Sequence, residues 1–112
     1  MIYKICKEAE WAEAKSRGAF AGSVVDIADG FIHLSTAKQV EETARRHFGG
    51  QPDLVLVAFD PEVLGGALKW ELSRGGDLFP HLYGPLPASA ALSVLPLQVG
   101  VDGTHVFPSD IT

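Results

Sequence analysis

Leu54 to Phe59 reads LVLVAF, six apolar residues with no polar interruption. A strand with one wet face alternates, whereas an unbroken run is buried on both faces. Asp60-Pro61 ends it. The chain must therefore cover both sides of a central strand. It has 112 residues for the task, which suits a single domain spanning 1–112. Hydrophobic residues make up 46%, enough for a core that folds without staples. The single cysteine, Cys6, allows no internal disulfide and reads as a small buried hydrophobe.

The flanking segments supply that cover. Ile2 to Cys6 is β-prone, and Lys7 to Arg17 is rich in helix formers and stops at Gly18, a natural C′ residue. Ala19 to Asp29 reads as irregular, with a turn at Val24 to Ala28 and another at Asp29-Gly30. Phe31 to Ser35 predicts one strand, with Phe31, His33 and Ser35 on one face. Thr36 with Gln39 forms a capping-box pattern for a helix over Ala37 to Phe48, ended by Gly49-Gly50. After the apolar strand, Pro61 to Leu64 reads as one helical turn and Ala67 to Leu72 as a strand. Ser73 to Asp77 reads as a loop, and Phe79 to Pro87 as a short extended segment with bends. Ala91 to Val99 is a strand whose Pro96 suggests an edge or bulge, and Asp102-Gly103 turns it into Thr104 to Phe107. Two main helices in the N-terminal half and strands thereafter predict an α+β fold with a mixed or antiparallel split sheet.

Charge narrows the function classes. The net charge is −5 with pI about 5.2, so no general electrostatic footprint for nucleic acid is present. The N-terminus lacks the basic and long apolar regions of a secretory signal, and no apolar run is long enough to span a bilayer. A cytoplasmic protein without membrane or nucleic-acid partners is expected, its oligomeric state left open.

Four histidines are candidates for chemistry. His47 and His105 read as solvent-facing. His33 and His81 sit between apolar residues, so their ring nitrogens need partners. Each is either a satisfied structural histidine or a site residue. No pair of ligands two to four residues apart supports a metal. Glu71 and Arg74 stand at a strand end, as a surface ion pair or as a carboxylate and guanidinium of a site, and Tyr83 lies on the same side as His81. The Gly65-Gly66 and Gly75-Gly76 pairs lack phosphate-loop spacing, and Ser35 lacks a nucleophile elbow.

IYKI, DGFIHLST, LVLVAFD, KWE and FPHLYGPL, in that order, resemble the bacterial domain-of-unknown-function family 952 over Met1 to about Leu97. The same pattern is more distantly similar to RNA 2′-phosphotransferase and the ADP-ribosyltransferase-like fold. The matching pieces are Tyr3-Lys4, the helix to Gly18, Ile32-His33-Leu34-Ser35 and Leu54 to Asp60. The resemblance implies a pocket for NAD or ADP-ribose around His33, Glu71, His81 and Tyr83. In it Glu71 and His33 would be catalytic, and Tyr3, Lys4, Ser35, Thr36, Arg74, His81 and Tyr83 would bind ligand. Lys4 replaces the histidine of the first motif, and the arginines that grip RNA phosphates are unmatched, so phosphotransferase activity does not carry over. A non-enzymatic nucleotide-binding or small-ligand module on the same fold is the competing reading.

Overall fold

The computed structural model describes residues 1–109 and 111, and for Arg74 the backbone alone. The central strand is β5 (Leu54–Phe59), with all six residues buried. It lies between β1 (Ile2–Lys7) and β9 (Ser93–Val99). β4 (Ser35–Thr36) and β10 (His105–Val106) complete a five-stranded sheet in the order β10-β9-β5-β1-β4. β3 (Ile32–His33), β7 (Leu78–Leu82) and β6 (Leu68–Leu72) form a second sheet in the order β3-β7-β6. β2 (Ala19–Phe20) pairs with β8 (Leu86–Pro87). Every one of these pairings is antiparallel, which settles the mixed-or-antiparallel expectation.

Alternation along β1 and β5 divides the core into two layers. Tyr3, Ile5, Leu54, Leu56 and Ala58 face α3 (Ala37–His47), packing on Val40 and Ala44. Ile2, Cys6, Val55, Val57 and Phe59 face the opposite way, against Trp11 and Ala14 of α1 (Glu8–Arg17) and against Phe20, Ile32, Leu82 and Leu86. Full burial of side chains such as Val57 and Phe59 is worth roughly 1.5–3 kcal/mol each. Lys4 lies on the second of these faces, between Ile2 and Cys6, and is itself buried.

Three expectations are corrected. Val24–Asp29 is a helix, α2, rather than a turn in an irregular stretch. Phe31 to Ser35 is not one strand. Its two halves belong to different sheets, β3 pairing with β7 and β4 with β1, and the chain changes sheets at Leu34. His105 is buried rather than solvent-facing, and its Nε2 donates to the Gln51 carbonyl at 2.8 Å. Pro96 sits in a strand with neighbours on both sides, yet among the described residues β10 pairs only with Gln98 and Val99, which leaves the β9 edge unpaired at the proline. No helix among the described residues is long and apolar enough to cross a membrane.

Candidate functional site

The sheet change at Leu34 creates the site. Where β3 and β4 part, the two sheets diverge and leave a cleft of about 830 Å³. Tyr3, Lys4, His33, Ser35, Asp29 and His81 line it from the strands and α2; Thr43, Arg46 and His47 line it from α3.

One wall is organised by Asp26. α2 begins with a capping arrangement in which the Ser23 backbone N–H donates to Asp26 Oδ2 at 2.9 Å and the Ser23 hydroxyl to the same oxygen at 3.0 Å. The helix is inside out: Val24 is 86% exposed and Ile27 69%, while Asp26 is 1% exposed. The reason is Lys4, whose ammonium donates to both Asp26 oxygens, at 2.8 and 3.1 Å, and to the His33 carbonyl at 3.0 Å. A buried cation requires this kind of pairing. Asp26 Oδ1 also accepts the His33 backbone N–H at 3.0 Å. Burial alone would raise the Asp26 pKa. The hydrogen bond from His33 and the Lys4 charge outweigh it and hold the carboxyl well below its ordinary value of 3.8.

His33 is clamped at both ends of its ring. Nδ1 lies 2.7 Å from Asp26 Oδ1 and Nε2 lies 2.9 Å from Asp29 Oδ2. Both ring nitrogens are thus turned to carboxylates of α2. The answer to the two readings of His33 lies between them: it is a partly exposed residue at the cleft whose polar atoms serve the wall itself.

His81 faces it across the β3–β7 pair, with ring centroids 5.6 Å apart. Phe31 stacks on His81 at 4.1 Å and touches His33 at 4.6 Å and Tyr83 at 5.4 Å. His81 Nδ1 donates to Glu71 Oε1 at 2.8 Å, and the Tyr83 hydroxyl donates to the same oxygen at 2.8 Å. In the neutral ring this fixes the proton on Nδ1 and leaves the Nε2 lone pair open. These hydrogen bonds, His81 first, lower the Glu71 pKa, and the Glu71 bond raises that of Tyr83.

The residues expected from sequence are therefore arranged in two shells. Tyr3, Lys4, His33, Ser35 and His81 reach the cleft. Glu71 and Tyr83 stand outside its lining and hold His81. Ser35 hydrogen-bonds Thr43, oxygen to oxygen at 3.0 Å. The Thr36 backbone N–H donates to Gln39 Oε1 at 3.0 Å as the start of α3. The Arg74 side chain lies outside the described part of the structure. Sequence reasoning missed Asp26, Thr43 and Arg46. The Ser23-x-x-Asp26 spacing signals a cap but not its long-range partners, and Gln39, Thr43, Arg46 and His47 do form a polar stripe at helical spacing.

Cys6 adds nothing to the cleft chemistry. Burial pushes its thiol up to about 12, countered only in part by Lys4. It should resist a disulfide exchange reagent at pH 8 in the folded protein and react at once in denaturant; rapid labelling of the native chain would contradict this burial.

A family model described as "Protein of unknown function (DUF952)" matches residues 5–94. The crystal structure of protein CC0527 from Caulobacter crescentus is 53% identical, with a TM-score of 0.91, covering 94% of this chain and 92% of that one. The solution NMR structure of the same protein is 54% identical, with a TM-score of 0.83, covering 92% and 89%. No curated protein matches.

Proposed function

The chain belongs to the DUF952 family, and from that premise we propose that its cleft binds a ribosyl nucleotide of the NAD or ADP-ribose class and cleaves or transfers at the glycosidic carbon, on an ADP-ribosyltransferase-like fold. The observation that carries this reading is His81. It lines the cleft with one nitrogen oriented by a carboxylate and the other open. That is the arrangement of a general base. A split antiparallel sheet with a cleft between its parts supports the fold assignment.

The ligand would meet complementary walls. Arg46, which lies loosely at 3.8 Å from Glu42, brings a guanidinium for a pyrophosphate, with His47 beside it. Thr43 donates to the Gln39 carbonyl and Ser35 to Thr43, so the Ser35 oxygen is left to accept from a ribose hydroxyl at the cleft wall. In hydrolysis the C1′–N bond breaks with both electrons leaving on the nicotinamide nitrogen. The oxygen of water bonds C1′, and His81 Nε2 takes the water proton. Glu71 then faces an imidazolium, which its charge stabilises. Lys4 and His33 act through the wall they build with Asp26, rather than as loose phosphate contacts.

A binding module without turnover is the second reading. Glu71, the carboxylate that would face a developing oxocarbenium ion, lies off the cleft lining behind His81. Calorimetric titration with NAD and with ADP-ribose, paired with an assay for released nicotinamide, separates the two. Saturable binding with release supports the enzyme. Binding without release leaves the module, and no heat from either ligand at millimolar concentration sinks both for this ligand class.

A further inference from the structure

Among the described residues, β6 has a partner on one side only, β7, in the order β3-β7-β6. The Tyr83 N–H donates to the Ala67 carbonyl at 2.9 Å and the Ser73 N–H to the Asp77 carbonyl at 3.0 Å. With the register Lys69↔His81 and Glu71↔Phe79, these two bonds fix the phase of the ladder. The backbone groups of Lys69 and Glu71 face β7. Those of Trp70 and Leu72 and the Leu68 carbonyl face the uncovered edge, while the Leu68 N–H donates to the Gly65 carbonyl.

That edge reads Leu-Lys-Trp-Glu-Leu. The pattern is complementary to its own reverse. Laid antiparallel against a second copy about Trp70, Trp70 meets Trp70 and Leu68 meets Leu72. Trp70 and Leu72 offer both N–H and C=O groups there and Leu68 its carbonyl, so these pair as hydrogen-bonded positions, short only of a bond from the Leu68 N–H, which Gly65 already accepts. Lys69 then falls opposite Glu71 at the non-hydrogen-bonded positions, where side chains approach most closely, roughly 4.5 Å between Cα atoms. On the other face of the strand, Leu68 packs on the core, while Trp70 is 46% exposed, Leu72 73%, and Leu78, paired with Leu72, 51%. Edges are ordinarily blunted by proline, a bulge or unpaired charge. Here the charges are of opposite sign and equally spaced about the centre, which favours self-pairing over repulsion.

We propose that β6 is a self-association edge through which two copies of this chain join their three-stranded sheets across a two-fold axis at Trp70. The second copy is the occupant because the strand carries both halves of its own complement, in charge and in apolar pattern. The joined sheets would be six strands wide, one apolar surface would run across the axis, and Lys69 of the second copy would lie beside Glu71. The proposal stands independently of the ligand reading.

Sedimentation equilibrium over ten micromolar to one millimolar tests it. The wild type is expected to move from the 12.0 kDa of one chain towards twice that mass. Lys69→Glu sets like charges opposite each other and should remain monomeric. The double variant Lys69→Glu/Glu71→Lys restores opposite signs and should recover the dimer. Leu72→Lys, at an exposed position that does not disturb the fold, should also weaken association, and circular dichroism verifies each fold. A wild type that is monomeric throughout overturns the proposal and leaves the edge to a foreign strand. A Lys69→Glu variant that dimerises like wild type overturns it in favour of another surface.

Discussion

Replacing Asp26 by alanine should destabilise the protein by about 3–5 kcal/mol, the range for removing one partner of a buried ion pair. Lys4 is 4% exposed and spends its ammonium on Asp26 and the His33 carbonyl. Without Asp26 it becomes a buried cation with one neutral acceptor. The Ser23 and His33 backbone N–H groups lose their acceptor in the same step. Asp26→Asn keeps the shape and removes the charge, so it should fall between alanine and wild type. Lys4→Met combined with Asp26→Leu should cost much less than the sum of Lys4→Met and Asp26→Ala, because neither charge is then stranded. Urea titration with unchanged m measures each cost. The sign of the pH effect follows from the depressed carboxyl. Its contribution is complete above the unfolded-state value near 3.8 and drains away as pH falls below it towards the folded value. Wild type should therefore lose stability steeply below about pH 4, and Asp26→Asn should lose less over the same interval. Equal acid limbs for the two proteins would show that Asp26 is not the group involved.

The same network shows what a sequence discloses. LVLVAF was legible because its burial on both faces is written in the run itself. The start of α3 was legible because Thr36 and Gln39 interact three residues apart. Phe31 to Ser35 reads as one strand because alternation is the same whichever sheet a residue joins. Only β1 and β7, from distant parts of the chain, decide that the two halves part at Leu34. α2 escaped notice because its pattern is reversed, with Val24, Val25 and Ile27 outside and an aspartate inside. That aspartate answers a lysine 22 residues away, and no local rule couples them. The clustering of His33, His81, Glu71 and Tyr83 was expected from the family resemblance. The division of labour among them was not, because it depends on which nitrogen each carboxylate reaches. His105 was missed for the same reason: its partner, the Gln51 carbonyl, is 54 residues away.

Under the proposed NAD hydrolysis, His81→Ala should lower nicotinamide release by about 10²–10⁴-fold, the contribution of a positioned base, while ADP-ribose affinity changes far less. Two histidines at one cleft differ in how their nitrogens are used. His33 has both nitrogens committed to Asp26 and Asp29. His81 has one committed to Glu71 and one open. Substituting His33 should therefore appear first in the denaturation curve, and substituting His81 first in turnover. Glu71→Gln sharpens the assignment. The amide oxygen can still accept from Nδ1, so the ring keeps its tautomer, but the neutral amide no longer stabilises the imidazolium; the rate should fall with little change in affinity. Tyr83→Phe removes one of the two donors to Glu71 Oε1 and should raise the Glu71 pKa, with the smallest rate loss of the set. Single-turnover measurements across the three variants read this order directly. A His81→Ala protein that turns over at the wild-type rate would remove the base from the mechanism. Loss of turnover in His33→Ala with unchanged stability would assign the chemistry to the other ring.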